Sequence, residues 1–289
     1  MKKIFFTTTI FLLFFSVVTI LILSTIGFET DKFNKNISSK VIESNKDISL
    51  KLEKIKFKFD FKDFNLFLET KNPKLIYKDL LIPIRNIKVY LDFYSLIKSK
   101  PKTEKINILS KEINIDEFKK IVLKTKPSNL NSLITNKIKS GKLFINLELY
   151  FNNNLDIDTF IARGEVKEMH GVINNDLSLT NTNFNFFADS SDILIKNING
   201  NMDGLLIKKG NLQIKKNEVI TLNSDFVTEI KLNNETIFNY LPYIKNIKFI
   251  NQETNFNANL QNFLNITFDK TLKIINYAYT NKGKINELL

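Results

Sequence analysis

The sequence predicts a mainly β protein with a few short helices: an N-terminal transmembrane helix, then an extended, curved antiparallel sheet of groove-like form. Three observations carry this. An uncharged stretch runs from Ile4 to Phe28. From Ile48 onward, apolar and polar residues alternate with a period of two, the signature of half-buried strands. Strand-like segments then recur about every ten residues with asparagine or glycine between them, the spacing of an all-β meander.

The first element starts with Met1-Lys2-Lys3, and the uncharged stretch after it exceeds the roughly 20 residues needed to cross a bilayer core. Its polar members are Thr7, Thr8, Thr9, Ser16, Thr19, Ser24 and Thr25. Such hydroxyls can bond back to the helix's own carbonyls and are tolerated in lipid. The run is longer than the apolar core of a secretory signal, and no Ala-x-Ala site follows, which favours an uncleaved anchor over a signal peptide. Residues 1–28 therefore form a cytoplasmic stub and transmembrane anchor.

Residues 29–126 read as a membrane-proximal α+β region. Thr30 is placed to cap a helix reaching Ser44, with Phe33, Ile37 and Val41 on one stripe. Ile55, Phe57, Phe59 and Phe61 alternate with Lys56, Lys58 and Asp60 as a strand; Phe64 to Leu68, Leu80 to Ile84, and Ile87 to Phe93 continue the pattern. Tyr94 to Lys98 reads as a helical turn stopped before Pro101. Ile106-Ile108 and Ile113-Ile115 read as brief strands, and Asp116 as the cap of a helix presenting Phe118, Ile121 and Val122. Pro127 bars its continuation, and the polar residues 127–140 read as a linker.

Residues 141–289 read as a β-rich, repeat-like region. Leu143, Ile145, Leu147, Leu149 and Phe151 alternate without a break, and Asn152 to Asn154 turn the chain. Further strands centre on Phe160, Leu177-Leu179, Phe184-Phe186, Ile193-Ile195, Leu205-Ile207, Leu212-Ile214 and Ile220-Leu222, with Asn174-Asn175, Asn201, Gly204 and Gly210 as turn residues. A short helix is expected around Ile237 to Leu241, and the strand pattern resumes at Phe256 and runs through Tyr277 and Tyr279. The rhythm runs almost to Leu289 without a capping element, so the expectation is either more chain or a partner that supplies the next strand.

Composition excludes much chemistry. There is no cysteine, hence no disulfide, zinc-thiolate or cysteine nucleophile. His170 is the only histidine and sits in a turn-like stretch, Met169-His170-Gly171, with nothing to complete a triad or a metal site. Asp156 and Asp158 share a strand face, but glycosidase carboxylates come from separate strands. No phosphate-cradling glycine loop is present. The net charge is +12, yet arginine occurs only at 85 and 163, whereas base readout leans on arginine forks. Lysine, asparagine, isoleucine and phenylalanine share AT-rich codons, a sufficient source for the charge. The expectation is no enzyme, no cofactor, no metal and no nucleic-acid partner.

Aromatic usage stands out: 26 phenylalanines, 8 tyrosines and no tryptophan. Many phenylalanines fall on the apolar phase of strands. Phe57, Phe59, Ile87, Val89, Leu91, Leu143, Ile145, Leu147 and Leu149 each put an apolar group on one face, and these are the candidates for contact with lipid. The few short helices expected are too small to cover such a sheet. It must curl on itself or leave a groove.

Four features resemble one family: the anchor, the short helix after it, the run from Ile48 to Phe59, and the run from Ile87 to Ile97 followed by Pro101 and a new strand. The stretch from Ile195 to Leu212 is also similar to its repeated strand–turn units. The family is the AsmA-like superfamily of Gram-negative envelopes, including AsmA-, TamB- and YhdP-type proteins. The resemblance implies a single-pass inner-membrane protein with a cytoplasmic N-terminus and a periplasmic, groove-like β domain, which binds or conducts phospholipid between envelope membranes without catalysis. Two other readings stand beside it: a structural partner in outer-membrane protein assembly, joined through an exposed sheet edge, and an envelope hydrolase.

Lys2 and Lys3 before the span place Met1 on the cytoplasmic side by the positive-inside rule. Reporter fusions at Asp60 and Asn153 are expected to report export, and protease added to spheroplasts to reach both; protection of either site would refute this orientation.

Overall fold

The structure is a computed structural model describing residues 2–61, 65–91, 102–152, 154, 156–173, 177–202, 205–232 and 256–288. Among these residues the chain is mainly β, as its periodicity predicts. Fourteen strands form one antiparallel sheet, and three more form a small second sheet.

Helix α1 (Lys2–Thr25) carries no charge after Lys3, and its side chains are mostly exposed, although it contacts β3 (Ile55–Asp60). At about 1.5 Å per residue its length matches a bilayer's hydrocarbon thickness of roughly 30 Å. Each hydroxyl in it bonds back to its own backbone: Thr7 to Lys3 O, Thr8 to Ile4 O, Thr9 to Phe5 O, Ser16 to Leu12 O, Thr19 to Phe15 O, Ser24 to Ile20 O and Thr25 to Leu21 O. The helix therefore exposes no unsatisfied side-chain donor along its apolar length. It is long and apolar enough to cross a membrane.

The helix ends where Ile22 O accepts from both Ile26 N and Gly27 N, each at 2.9 Å. Gly27 takes φ 74°, a left-handed conformation that a side chain disfavours. Strand β1 (Phe28–Thr30) follows at once and pairs with β3 (Ile55–Asp60), Phe28 opposite Phe57. The expected helix from Thr30 thus starts later, as α2 (Asn34–Ser44). Thr30 does not cap it; its hydroxyl accepts from Lys32 N at 3.2 Å in a local turn. The free edge of β3 takes residues 28–30 into the sheet, and helix formation begins only beyond the turn closed by Asn34 N and Asp31 O.

The contact pattern divides the chain into two compact units: residues 1–111 with 146–160, and residues 112–145 with 161–289. In the first, β3, β4 (Asn65–Lys71), β7 (Ile84–Leu91) and β8 (Thr103–Ser110) pair in that order, and β8 pairs with the far end of β10 (Ile138–Phe151). Strands β2 (Ile48–Lys51), β5 (Lys74–Tyr77) and β6 (Leu80–Ile82) make the small sheet. Tyr94–Lys98 and Phe64 lie outside the described residues.

In the second unit, β9 (Ile113–Asn114) leads into α3 (Ile115–Leu123). Asn114, not Asp116, holds the N-cap position; Asp116 and Glu117 lie in the first turn, where carboxylates suit the helix dipole. Residues 129–137, inside the segment read as a linker, form helix α4 (Asn129–Lys137). Ser128 caps it by accepting from Asn131 N at 3.1 Å, and the Asn131 amide donates to Thr125 Oγ1 and Lys126 O. Strands β11 (Ile157–Val172), β12 (Ser178–Ala188), β13 (Asp192–Met202), β14 (Leu205–Lys216), β15 (Ile220–Leu232), β16 (Phe256–Phe268) and β17 (Ile274–Leu288) follow as a meander. Residues 174–175, Gly204 and the helix expected at 237–241 lie outside the described residues.

These strands are longer than the rhythm in the sequence. Leu205–Ile207 and Leu212–Ile214 belong to one strand, and Gly210 lies within it rather than in a turn. His170 and Asn201 also lie in strands, β11 and β13. The reason is a β-bulge in each of β11, β12, β13 and β14, near Glu168, Asn181, Asn197 and Lys208. One extra residue shifts the alternation by one, so polar residues gather at the bulge and mimic a turn. Glu168, Asn181 and Asn197 have φ of 52°, 48° and 56°. Asparagine side chains hold the bulges: Glu168 N donates to Asn183 Oδ1 at 2.9 Å, and Asn197 N to Asn211 Oδ1 at 3.4 Å. Asn183 and Asn199 in turn donate to Asn181 O and Asn197 O.

Gly210 sits opposite Phe226, and a Cβ on it would lie 2.2 Å from Phe226 Cδ1. Gly210→Val is expected to destabilise the protein by about 1–3 kcal/mol through overpacking. Adding Phe226→Leu should recover part of the loss by freeing the space. Urea-melt midpoints of the two variants test this.

Candidate functional site

The registers decide which residues share a face. In the first unit, Phe57 and Phe59 lie opposite Leu68 and Leu66, these opposite Val89 and Leu91, Ile87 and Val89 opposite Ile108 and Ile106, and those opposite Leu147 and Leu149. Seven of the lipid-contact candidates, Phe57, Phe59, Ile87, Val89, Leu91, Leu147 and Leu149, therefore share one apolar face. Phe59, Ile87 and Leu91 are buried; Phe57, Val89, Leu147 and Leu149 are partly buried.

The opposite face of this unit also holds buried groups: Phe67, Glu69 and Tyr90. Phe67 and Tyr90 stack at 5.3 Å between ring centroids, with Lys88 over the first ring and Lys105 over the second. Lys58 Nζ lies 3.1 Å from Glu69 Oε2, and the Asn86 amide donates to Glu69 Oε1. Burial pushes the Glu69 carboxyl up, but the bond from Lys58 and the charges of Lys58, Lys88 and Lys71 outweigh it and hold the carboxyl below its ordinary value. With both faces holding buried groups, the first unit is a packed body.

The second unit differs. Leu143 joins Ile113 and Val166 in a buried cluster, with Phe118 of α3 packed on it alongside Ile145, Met169, Phe184 and Phe186. From there the registers carry one apolar face across the sheet. Phe186 lies opposite Ile195, Ile195 opposite Leu212, Leu212 opposite Ser224, Ser224 opposite Leu264, and Leu264 opposite Tyr279. A neighbouring row runs through Met202, Leu205, Ile230 and Ala258 to Ile285. Each bulge lets the apolar phase stay on this face along both halves of its strand.

Among the described residues, no helix packs on this face of β13–β17; these strands contact only their neighbours to any extent. An open depression of about 250 Å³ lies there, lined by Met202, Leu205, Ile207, Phe226, Thr228, Ile230, Leu260, Asn262 and Tyr279. Its polar groups satisfy one another: Tyr279 Oη donates to Asn262 Oδ1 at 2.7 Å, and Asn262 Nδ2 to Thr228 Oγ1 at 2.9 Å. The other face carries Asn211, Gln213, Asn223, Asp225 and Asn265, with Leu194 and Phe263 among them, around a second depression of about 450 Å³.

Sequence reasoning therefore placed its candidates mostly in the packed unit and did not single out the uncovered face. The signal was present as a change of parity: Ile193 and Ile195 to Ile198 and Met202, or Leu205 and Ile207 to Leu212 and Ile214. An apolar run that changes parity at a polar residue marks one long bulged strand rather than two short ones.

His170, the histidine considered for a triad, lies within β11. Among the described residues, no group of three or more histidine, aspartate or glutamate side chains could hold a metal ion. Asp156 and Asp158 are exposed at the start of β11, and Asp156 N donates to Asn152 Oδ1. No protein-family model, curated protein or solved structure matches this chain.

At the bulge of β14, Lys208 Nζ is 2.6 Å and Lys231 Nζ 2.8 Å from the Glu229 carboxylate. These bonds lower the Glu229 pKa from 4.5 to about 2. A depressed carboxylate contributes stability that is present above its unfolded value and is lost as pH falls through the folded one. Glu229→Gln is therefore expected to melt below the parent at pH 7, with the gap closing between pH 4.5 and pH 2. A gap independent of pH would show that the ion pairs do not stabilise the fold.

Proposed function

We propose that this protein is a non-enzymatic lipid-binding protein, anchored in a bacterial inner membrane by α1, with an AsmA-like periplasmic domain that holds or conducts phospholipid acyl chains along its sheet. The observations that carry the reading are the apolar face of β13–β17, on which no helix packs among the described residues, and the presence in the same chain of a helix long enough to span a bilayer. At about 25 cal/mol per Å², leaving several hundred Å² of apolar strip in water costs several kcal/mol. An acyl chain removes that cost and requires no polar motif. Lys2 and Lys3 ahead of the span favour a cytoplasmic N-terminus and an exported sheet.

A second reading rests on a different feature. Among the described residues, β17 pairs only with β16, and Ile275, Tyr277 and Tyr279 along it are more than half exposed. Such an edge suits strand addition by an envelope protein engaged in outer-membrane assembly.

Photocrosslinking separates the two. Probes at Ile207, Phe226 and Leu260 lie on the apolar phase, and probes at Lys209, Asp225 and Gln261 on the polar phase. Lipid adducts confined to the first set are expected. Equal labelling of both sets, or none, would refute the lipid reading, and protein adducts from Lys282 or Lys284 of β17 would favour the second.

A further inference from the structure

The end of β3 lies near the exit of α1, which contacts that strand. β1 and β3 run antiparallel with Phe28 opposite Phe57, so stepping back from Phe28 toward α1 moves along β3 from Phe57 toward Phe61. Gly27 confirms the direction, since it lies against Phe57 O and the Lys58 side chain, and α1 contacts β3. At about 3.3 Å per strand residue, Phe61 is level with the last turn of α1. That turn lies near the boundary between acyl chains and headgroups when α1 spans a hydrocarbon core of roughly 30 Å.

Phe61 differs from the neighbour it follows on its own side of the strand. Phe59, two residues earlier, is 8% exposed, whereas Phe61 is 53% exposed and touches Phe59 edge-on at 5.5 Å. Ile26 and Phe28, between α1 and the sheet, are 68% and 62% exposed. The exposed apolar surface of α1 thus passes through Ile26 and Phe28 toward Phe61, at the height where a bilayer's interface lies. Phenylalanine and aliphatic side chains of interfacial segments bury at the boundary between headgroups and acyl chains.

We infer that Phe61, with Ile26 and Phe28, seats the membrane-proximal edge of the sheet in the interface of the leaflet that α1 leaves, so that the partner of this surface is the lipid bilayer itself. The inference rests on the reading that α1 crosses a membrane. It goes beyond that reading in fixing which end of the first unit meets the lipid. A single flexible tether would leave the domain free to tumble. A second contact beside the short Ile26-Gly27 connection holds β3 at one height above the bilayer.

The chain has no tryptophan, so one introduced indole reports on one position. The full-length protein would be reconstituted in phosphatidylcholine vesicles containing lipid brominated high on the acyl chain. Phe61→Trp is compared with Leu81→Trp, which is also exposed but lies just before the opposite end of β7. Phe11→Trp, inside α1, reports the span, and lipid brominated near the chain end is used for it. Fluorescence at position 61 is expected to fall at least twofold relative to unbrominated vesicles, with little change at position 81. Phe28→Trp serves as a second probe should the variant at 61 not fold. Quenching at position 11 but not at 61 or 28 would overturn this inference and leave the anchor intact. Absence of quenching at position 11 would overturn both.

Discussion

Antiparallel pairing brings residues of like phase onto one side of a sheet, and here it does so over a great length of chain with few helices to use the result. Strands β11 to β17 are each 11 residues or longer, so an apolar phase kept in register becomes a broad apolar surface. Among the described residues, α3 covers part of it, through Phe118 over Leu143 and Val166. The first unit solves the same problem by burying groups on both faces. Its cross-strand contacts are correspondingly mixed: a Phe67–Tyr90 stack, lysines over both rings, and a buried Glu69 held ionised by Lys58.

The passage from α1 to the sheet is the other constraint. Two residues join a membrane-length helix to a hydrogen-bonded strand, and one is a left-handed glycine packed against the β3 backbone. No slack separates the two elements. The orientation of the first strands relative to the helix is therefore built in covalently and by hydrogen bonding.

Much of this was legible in the sequence, for identifiable reasons. The uncharged run with back-bonding hydroxyls and the alternation from Ile55 to Asp60 depend only on local chemistry, and both appear as expected; Phe61, read as the next strand position, lies just past the strand and is exposed. What failed was context. Residues 28–30 became a strand because β3 offered them an edge, which no local pattern reveals. The polar segment after Pro127 became a helix through the Ser128 cap, although its composition suggested a linker. The strand count went astray at the bulges, where Asn181, Asn197 and Lys208 resemble turns. The candidates for lipid contact were drawn from the cleanest alternations, and in the first unit those are clean because that sheet is packed.

The bulges also constrain how the sequence can change. Along β11, β12, β13 and β14 the apolar positions have one parity before the bulge and the other after it, yet all lie on one side. Losing a single residue at Asn181 or Asn197 would join the two parities into one unbroken alternation, so the bulge would vanish while the apolar groups stayed on their face. Losing a single residue within a flank would instead turn part of the strand inside out, phenylalanine or isoleucine outward and asparagine or lysine inward. Single-residue insertions and deletions in this sheet should therefore survive in evolution at the bulges rather than in the regular runs between them.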